Sequence, residues 1–425
     1  MKYTKAKVLL AIFFASITAR GQWTNLWQNN NIYAACFATS ADTCYLTGGD
    51  GKIYRTTNGG LSWDSVQTVF TQSWFNDIYF PSANTGYACG GSAFGFHKCT
   101  IAKTTNAGQT WDSITSNTFG FDFTKIFFVN DSVGFFNGCY FLKTTDGCQT
   151  FSTITYPFTG GITALYFFND TVGLIATNEY VSASITRYRI ASTADGGLNW
   201  TTNYLDSVNS SITIWNSKNI NDIYFINSSV GFAVRDNGIY LQSANGGLSW
   251  TAFTLTNDST NLKDIAMSNI SGVGYIAGWK YTGSAYQSRI YKTTDYGFSW
   301  QENFNTSIDG FYRVSMATDD TVYAAGYGNI FKTNNGGAAG VIENNFSDND
   351  FIVFPNPSIT ELNIQINSTL QFQFTLYNSL GEKIIDKSLN NKISSINLSA
   401  YSNGIYFYKI ISEKSIIKTG KIIKQ

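Results

Sequence analysis

After residue 21, apolar and polar positions alternate in short runs broken by Gly, Asn, Asp and Ser, and nowhere do they settle into helical spacing. The runs predict strands, and the breaks predict tight turns. One break recurs almost word for word. Ile53-Tyr54-Arg55 leads into Thr56-Thr57-Asn58-Gly59-Gly60-Leu61-Ser62-Trp63, and the same sentence returns at Thr104–Trp111, Thr144–Phe151, Thr193–Trp200, Ser243–Trp250 and Thr293–Trp300, then fades at Thr333–Gly340. Asn and Asp tolerate left-handed backbone and bond nearby amides, Gly permits positive φ, and a Trp leaving the turn can wedge between strands.

The turns recur every 40 to 50 residues. That period without helices predicts one four-stranded propeller blade per repeat, and seven copies predict a seven-bladed β-propeller over residues 22–340. The upstream halves align as well: Asp77-Ile78-Tyr79-Phe80 leads to Gly86-Tyr87, Lys125-Ile126-Phe127-Phe128 to Gly134-Phe135, and Asp222-Ile223-Tyr224-Phe225 to Gly231-Phe232. The last repeat lacks its Trp and its outer strand. Gln22-Trp23-Thr24-Asn25-Leu26 resembles a post-turn strand, so the N-terminal segment is expected to complete the seventh blade, with Trp23 supplying the missing indole and no sheet edge left open.

From residue 341 to 350 the chain turns small and polar, a linker. Residues 351–425 then alternate again, beginning with Phe351–Phe354 and stopped by Pro355 and Pro357, which cannot continue a ladder. This pattern predicts a small Ig-like β-sandwich, so the fold class is all-β throughout.

Composition adds three constraints. Charged residues make up only 13% of the chain, and Lys+Arg balance Asp+Glu at 28 each, which excludes an electrostatic case for nucleic acid. Lys2, Lys5 and Lys7 precede an apolar run, Val8–Ile17, and then Ala19-Arg20-Gly21, so residues 1–21 read as a secretory signal peptide for Sec export to the periplasm. No other stretch is long and apolar enough for a transmembrane segment.

Two resemblances rest on these motifs. The repeated turn resembles the Asp-box, or bacterial neuraminidase repeat, and the whole repeat looks most like the seven-bladed propellers of the photosystem II assembly/stability factor family. That resemblance implies a fold and leaves function open, because Asp-box propellers include sialidases, xyloglucan-active glycosidases, receptor ectodomains and assembly factors. Phe354-Pro355-Asn356-Pro357, Leu376–Gly381, Ile396–Ser399, Asn403-Gly404-Ile405-Tyr406-Phe407 and Lys421-Ile422-Ile423-Lys424 resemble the type A sorting domain of the type IX secretion system of Bacteroidota. Asn378 stands where that family more often has Asp. The resemblance implies passage through the outer membrane, the secretion machinery as partner, and a protein secreted or held at the outer cell surface.

Candidate chemistry is sparse. The turn residues Asn58, Asn106, Asp146, Asp195, Asn245 and Asp295 are Asn as often as Asp, so their role does not need ionisation and is structural, as is that of Trp63, Trp111, Trp200, Trp250 and Trp300. His97 is the only histidine, and there is no CxxC, so neither a metal site, a cofactor nor a Ser-His-Asp triad is expected. A sialidase needs three clustered arginines; Arg55, Arg187, Arg189, Arg235, Arg289 and Arg313 come without the Phe-Arg-Ile-Pro motif. The cysteines suggest three local disulfides, Cys36/Cys44, Cys89/Cys99 and Cys139/Cys148, against buried free thiols.

The functional expectation falls on one face. Long loops, Gly91–Cys99, Thr177–Arg189 and Trp279–Arg289, lie between the second and third strands of blades 2, 4 and 6, and bring Phe94, Phe96, Tyr180, Tyr188, Tyr281 and Tyr286. They share a face with the starts of the inner strands, where Asp77, Lys125, Asp222, Asp264 and Arg313 are equivalent. Aromatic rings around mixed charges predict a binding surface for a protein or glycan. The alternatives are a glycan hydrolase or lyase using Asp77, Asp222 and Asp264, and an adhesion or structural surface component.

Overall fold

A computed structural model describes residues 23–28, 32–71, 73–92, 99–114, 122–138, 140–182, 185–209, 218–308, 310–337, 351–366, 372–378, 383–389, 392–412 and 415–425, with a few side chains left out, that of Tyr180 among them. The expected signal peptide and linker, Phe94, Phe96, His97, Cys139 and Gly381 lie outside these residues. The chain divides into two compact units, Met1–Ala338 and Ala339–Gln425.

In the first unit the described strands form seven four-stranded antiparallel sheets. Their innermost strands are, in chain order, Ile32–Ala38, Ser73–Tyr79, Lys125–Phe128, Gly161–Phe167, Ile220–Phe225, Asn261–Met267 and Phe311–Met316, here blades 1 to 7. Each innermost strand touches the next, and the last touches the first, so the sheets close into a propeller ring.

The repeated aromatic and glycine positions explain why the blades pack. The Phe ending an inner strand lies over the Gly that opens the second strand: a Cβ on Gly86 would sit 2.4 Å from Phe80, and one on Gly134 would sit 2.4 Å from Phe128. The residue after that Gly turns outward to the next blade. Tyr87 stacks on Phe128 at 3.8 Å and Phe135 on Phe167 at 3.5 Å, as Tyr45 does on Phe80 at 4.0 Å. The tyrosine hydroxyls donate across the same seams, from Tyr45 to Ala107 O, Tyr87 to Asp131 O and Tyr275 to Asp319 O.

The eight-residue turns are held by their own side chains. In the first, Gly60 N–H donates to Thr56 Oγ1 (2.8 Å), the Thr56 hydroxyl donates to Asn58 Oδ1 (3.0 Å), Ser62 N–H donates to the same oxygen (3.0 Å), and Asn58 Nδ2 donates to Ser62 Oγ (2.8 Å). In the turn at Asp295 the last bond runs the other way, from the Ser299 hydroxyl to Asp295 Oδ2 at 2.5 Å. A hydroxyl can donate or accept, so Asn and Asp serve the same geometry.

The ring is closed by the N-terminal segment. Thr24–Gln28 pairs antiparallel with Asn329–Thr333, from Thr24 opposite Lys332 to Gln28 opposite Asn329. Trp23 is buried; its indole N–H donates to Asn303 Oδ1 at 2.8 Å and lies against Gly337, as the Trp200 ring lies against Gly197. The faded seventh turn still forms, with Gly337 N–H on Thr333 Oγ1 and the Thr333 hydroxyl on Asn335 Oδ1. Across the closing seam, the Tyr323 hydroxyl and Lys332 Nζ donate to Ala41 O.

Two expectations are corrected. The connections in blades 4 and 6 are continuations of the ladder, not loops: Thr177 pairs with Arg189 and the pairing runs on to Ser182 opposite Ile185, while Trp279 pairs with Ser288 and Tyr281 with Tyr286. The three local disulfides do not form. Cys36, Cys44, Cys89 and Cys148 are buried free thiols, because Cys36 faces Leu46 and Cys89 faces Ile101, each two residues out of register with its expected partner. Cys99 is disulfide-bonded, but Cys89 is not its partner. Burial pushes the Cys148 thiol up to about 12 and those of Cys36 and Cys89 well above the ordinary value, so these are inert core residues.

The second unit packs the sheet Phe351–Phe354, Glu361–Ile366 and Ile393–Asn397 against the sheet Lys383–Leu389, Phe372–Tyr377, Gly404–Ser412 and Ser415–Lys424. Leu362 and Ile364 from one and Phe374, Leu376, Ile410 and Ile422 from the other share one core. The segment between the prolines clips the last strand: Asn356 Nδ2 donates to Lys421 O (2.8 Å) and Ile423 N–H to Asn356 Oδ1 (2.9 Å). Tyr406 is buried with its hydroxyl on Ser402 O, and Lys424 Nζ donates to Asn403 Oδ1.

Candidate functional site

The propeller axis carries an inner ring of charged side chains. In blades 2, 4, 5, 6 and 7 the pairing of the innermost strand slips by one residue immediately before the ring position, as between Phe75 and Asp77 or Ile220 and Asp222. Such bulges bend a strand and re-aim its side chains. Here they place Asp77, Asp222, Asp264 and Arg313, together with Lys125 from the regularly paired strand of blade 3, around one cavity of about 370 Å³, walled toward the turn-bearing end by Tyr79, Phe127, Tyr166 and Tyr224. The tyrosine and phenylalanine rings follow one another around the axis, Tyr79 to Phe127 at 5.4 Å and Phe127 to Tyr166 at 5.0 Å.

The ring carboxylates are committed to the fold. Asp77 Oδ2 accepts Ile126 N–H from the next blade (3.0 Å), Asp222 Oδ2 accepts Ile265 N–H (3.3 Å), and Asp264 Oδ2 accepts Val314 N–H (2.7 Å). The residue before the Asp adds a second bond: Asn76 Nδ2 donates to Phe123 O and Asn221 Nδ2 to Leu262 O. An innermost strand exposes backbone groups on its free edge, and the Asn-Asp pair of the neighbouring blade satisfies a C=O and an N–H of that edge. Asn76 and Asn221 do not stand out in the sequence except as the recurring dipeptide Asn-Asp, which was their available signal.

Arg313 ties the ring together, with one guanidinium nitrogen 3.2 Å from Asp77 Oδ1 and another 3.7 Å from Asp264 Oδ1. Burial, aided by the charge of Asp222, lifts the Asp264 carboxyl well above the usual carboxylate range, while burial and the nearby Arg313 lower Lys125. Asp77 and Asp264 are 7% and 8% exposed, so they lie inside the channel and not at an open mouth.

The remaining predicted residues separate. Tyr188 is buried, accepts Lys218 N–H on its hydroxyl, and packs against Arg235, which is paired with Asp206 at 2.8 Å. Tyr281 and Tyr286 meet near the tip of the blade 6 hairpin with centroids 5.2 Å apart, and Tyr281 is 48% exposed. Neither lines the axial cavity. The arginines are dispersed: Arg55 donates to Ala107 O, Arg189 pairs with Glu179, Arg235 with Asp206, and Arg289 with Asp258 and Glu302. No three of these converge as sialic acid recognition requires. Among the described residues no group of His, Cys, Asp and Glu could hold a metal ion, and no helix is long and apolar enough to cross a membrane.

Residues 352–425 match the secretion system C-terminal sorting domain. Among solved structures, the chain is similar to YCF48 bound to D1 peptide, at 15% identity and a TM-score of 0.53 over 73% of this chain and 96% of that one. YCF48 from Cyanidioschyzon merolae gives 14% identity and 0.53 over 73% and 98%, and a streptogramin B lyase gives 12% and 0.52 over 74% and 97%. At these identities the likeness shows the propeller fold. No curated protein matches the chain in sequence. The sorting domain marks the protein for type IX secretion, to the cell surface or beyond it.

Proposed function

We propose that the propeller is a binding module: the sorting domain engages the type IX machinery, and the exported propeller then holds a protein or glycan on its hairpin-bearing face without chemistry of its own. The observation that carries this reading is the commitment of the channel carboxylates. A glycoside hydrolase needs an acid and a base or nucleophile free to exchange protons with substrate. Here Asp77, Asp222 and Asp264 each accept an amide from the adjacent blade, and two of them share Arg313. That a propeller of the same fold is found bound to a peptide accords with a binding role.

Asp222 has one hydrogen bond, to Ile265 N, and no ion pair among the described residues, so it is the carboxylate best able to act as a catalyst. The test is to incubate the purified protein with a panel of polysaccharides and surface proteins, measuring both retention and release of new reducing ends. Retention without release is expected. Reducing ends released by the wild type and lost in Asp222→Asn would replace the binding reading with hydrolysis.

A further inference from the structure

On the hairpin-bearing face, five aromatic rings form a continuous row across blades 6 and 7. Tyr281 lies 5.2 Å from Tyr286, Tyr286 is 5.3 Å from Trp279, Trp279 is 6.3 Å from Tyr312, and Tyr312 is 5.1 Å from Tyr327. The row runs from the extended hairpin of blade 6 to the turn between Val322–Gly326 and Asn329–Thr333, and its two ends are the most open, at 48% for Tyr281 and 52% for Tyr327. Trp279 is seated from behind by Gly310, where a Cβ would fall 2.5 Å from the indole.

Among the described residues, the cations beside this row are paired within the protein. Lys263, 5.5 Å from the Trp279 ring centroid, is held by Asp236 at 2.7 Å; Lys280 and Arg289 are held by Asp258 at 3.1 and 2.6 Å, and Arg289 also by Glu302. Among the described residues, an anionic ligand would find no uncommitted cation along this edge. Four of the five rings carry a hydroxyl, that of Tyr281 donating to Gly283 O, so the four tyrosines each set a polar edge beside an apolar face. A pyranose ring divides its surface in the same way, into a C–H face and a rim of hydroxyls. The rings are inclined to one another by 50 to 81°, which gives separate stacking faces along a track instead of one closed pocket.

We infer that the row Tyr281–Tyr286–Trp279–Tyr312–Tyr327 is a binding track for a neutral, pyranose-based polysaccharide. The inference rests on the binding reading above and names the ligand class for it. The test is calorimetric titration of the whole protein with cellohexaose, mannohexaose and laminarihexaose, beside oligogalacturonate as the anionic comparison. At least one neutral hexasaccharide is expected to bind, with affinity changing less than about twofold between low and high salt, since no exposed charge pair would be screened. Tyr281→Ala and Tyr327→Ala are each expected to weaken binding about three- to tenfold, the size of one lost aromatic contact, and Tyr281→Phe to restore most of it. Phe298→Ala serves as the control: Phe298 is 82% exposed in the turn at Asp295, on the opposite face, and its loss should change nothing.

Failure of all three neutral hexasaccharides to bind overturns the inference, as does binding indifferent to both tyrosine changes or weakened steeply by salt. If oligogalacturonate or a protein is bound instead, the track assignment falls while the binding module stands. Release of reducing ends from any of the sugars overturns the binding reading itself.

Discussion

Two rings of Asp and Asn residues encircle the same propeller, and they use one side chain for opposite purposes. In the outer turns Asp146, Asp195 and Asp295 are half-buried at the surface and bond only within their own eight residues, so Thr150 and Asn199, by hydrogen bonding, hold Asp146 and Asp195 down to about 2. In the channel Asp77, Asp222 and Asp264 bond to a different blade, and burial pushes Asp264 up. The turn ring shapes each blade by itself. The channel ring joins blades that are independent in sequence, and its groups have left water to do so.

Breaking the channel ring should therefore be the most damaging change. Arg313→Met strands Asp77 and Asp264 as buried carboxylates without their cation, and a loss of about 3 kcal/mol or more is expected, measured as the fall in unfolding free energy in urea. A loss below about 1 kcal/mol would mean that the pair behaves as an exposed one.

The pH dependence of stability separates the two rings more finely. Asp264 is raised, so folding favours its protonated form: its contribution is fullest below the ordinary carboxyl value near ~4 and is lost as pH rises through the folded value. Of the charged groups facing it, Asp222 adds to the rise while Arg313 and Lys125 oppose it. Asp146 and Asp195 are lowered, so their contribution is present above ~4 and is lost as pH falls toward about 2. Urea midpoints should peak at mildly acidic pH, with Asp264→Asn flattening the decline toward neutrality and Asp146→Asn flattening the decline into acid. A wild-type midpoint that climbs steadily from mildly acidic to neutral pH would contradict the burial of Asp264.

The smallest effect belongs to the turns at neutral pH. Asp295→Asn should shift stability by no more than about 0.5 kcal/mol, because Asn58, Asn106 and Asn245 already make the same bonds in their own copies. Thermal unfolding of this variant at neutral pH checks the point.

The contrast also marks what could be read from the chain. Everything governed by neighbours in sequence was legible: the turns, the four strands of each repeat and the strand Thr24–Gln28 supplying the missing edge, since each repeats a local pattern. The inner positions Asp77, Lys125, Asp222, Asp264 and Arg313 were found as equivalents, but their use was not, because the amides that Asp77 and Asp264 accept come from residues about 50 positions away. The same holds for the tyrosines. Tyr188 and Tyr281 lie in similar hairpins, yet the first is covered by Arg235 and Lys218 of the next blade, whereas the second is half-exposed. The pairs Cys36/Cys44 and Cys89/Cys99 fail for a smaller reason, a two-residue offset in register that spacing alone does not reveal.

The clasp formed by Thr24–Gln28 and Asn329–Thr333 has a consequence in time. Thr24–Gln28 finds its partner only when some 300 later residues exist, as the 304-residue separation of Asn25 and Asn329 measures. Until then blade 7 has an open edge and Trp23 has no cavity to fill, so the last step of folding is the meeting of the two ends of the propeller. Pairing over such a separation is slow compared with closing any single blade. An incomplete propeller, lacking either end, would present a free strand edge to its neighbours, and completion of the ring is the event that makes the molecule safe to release.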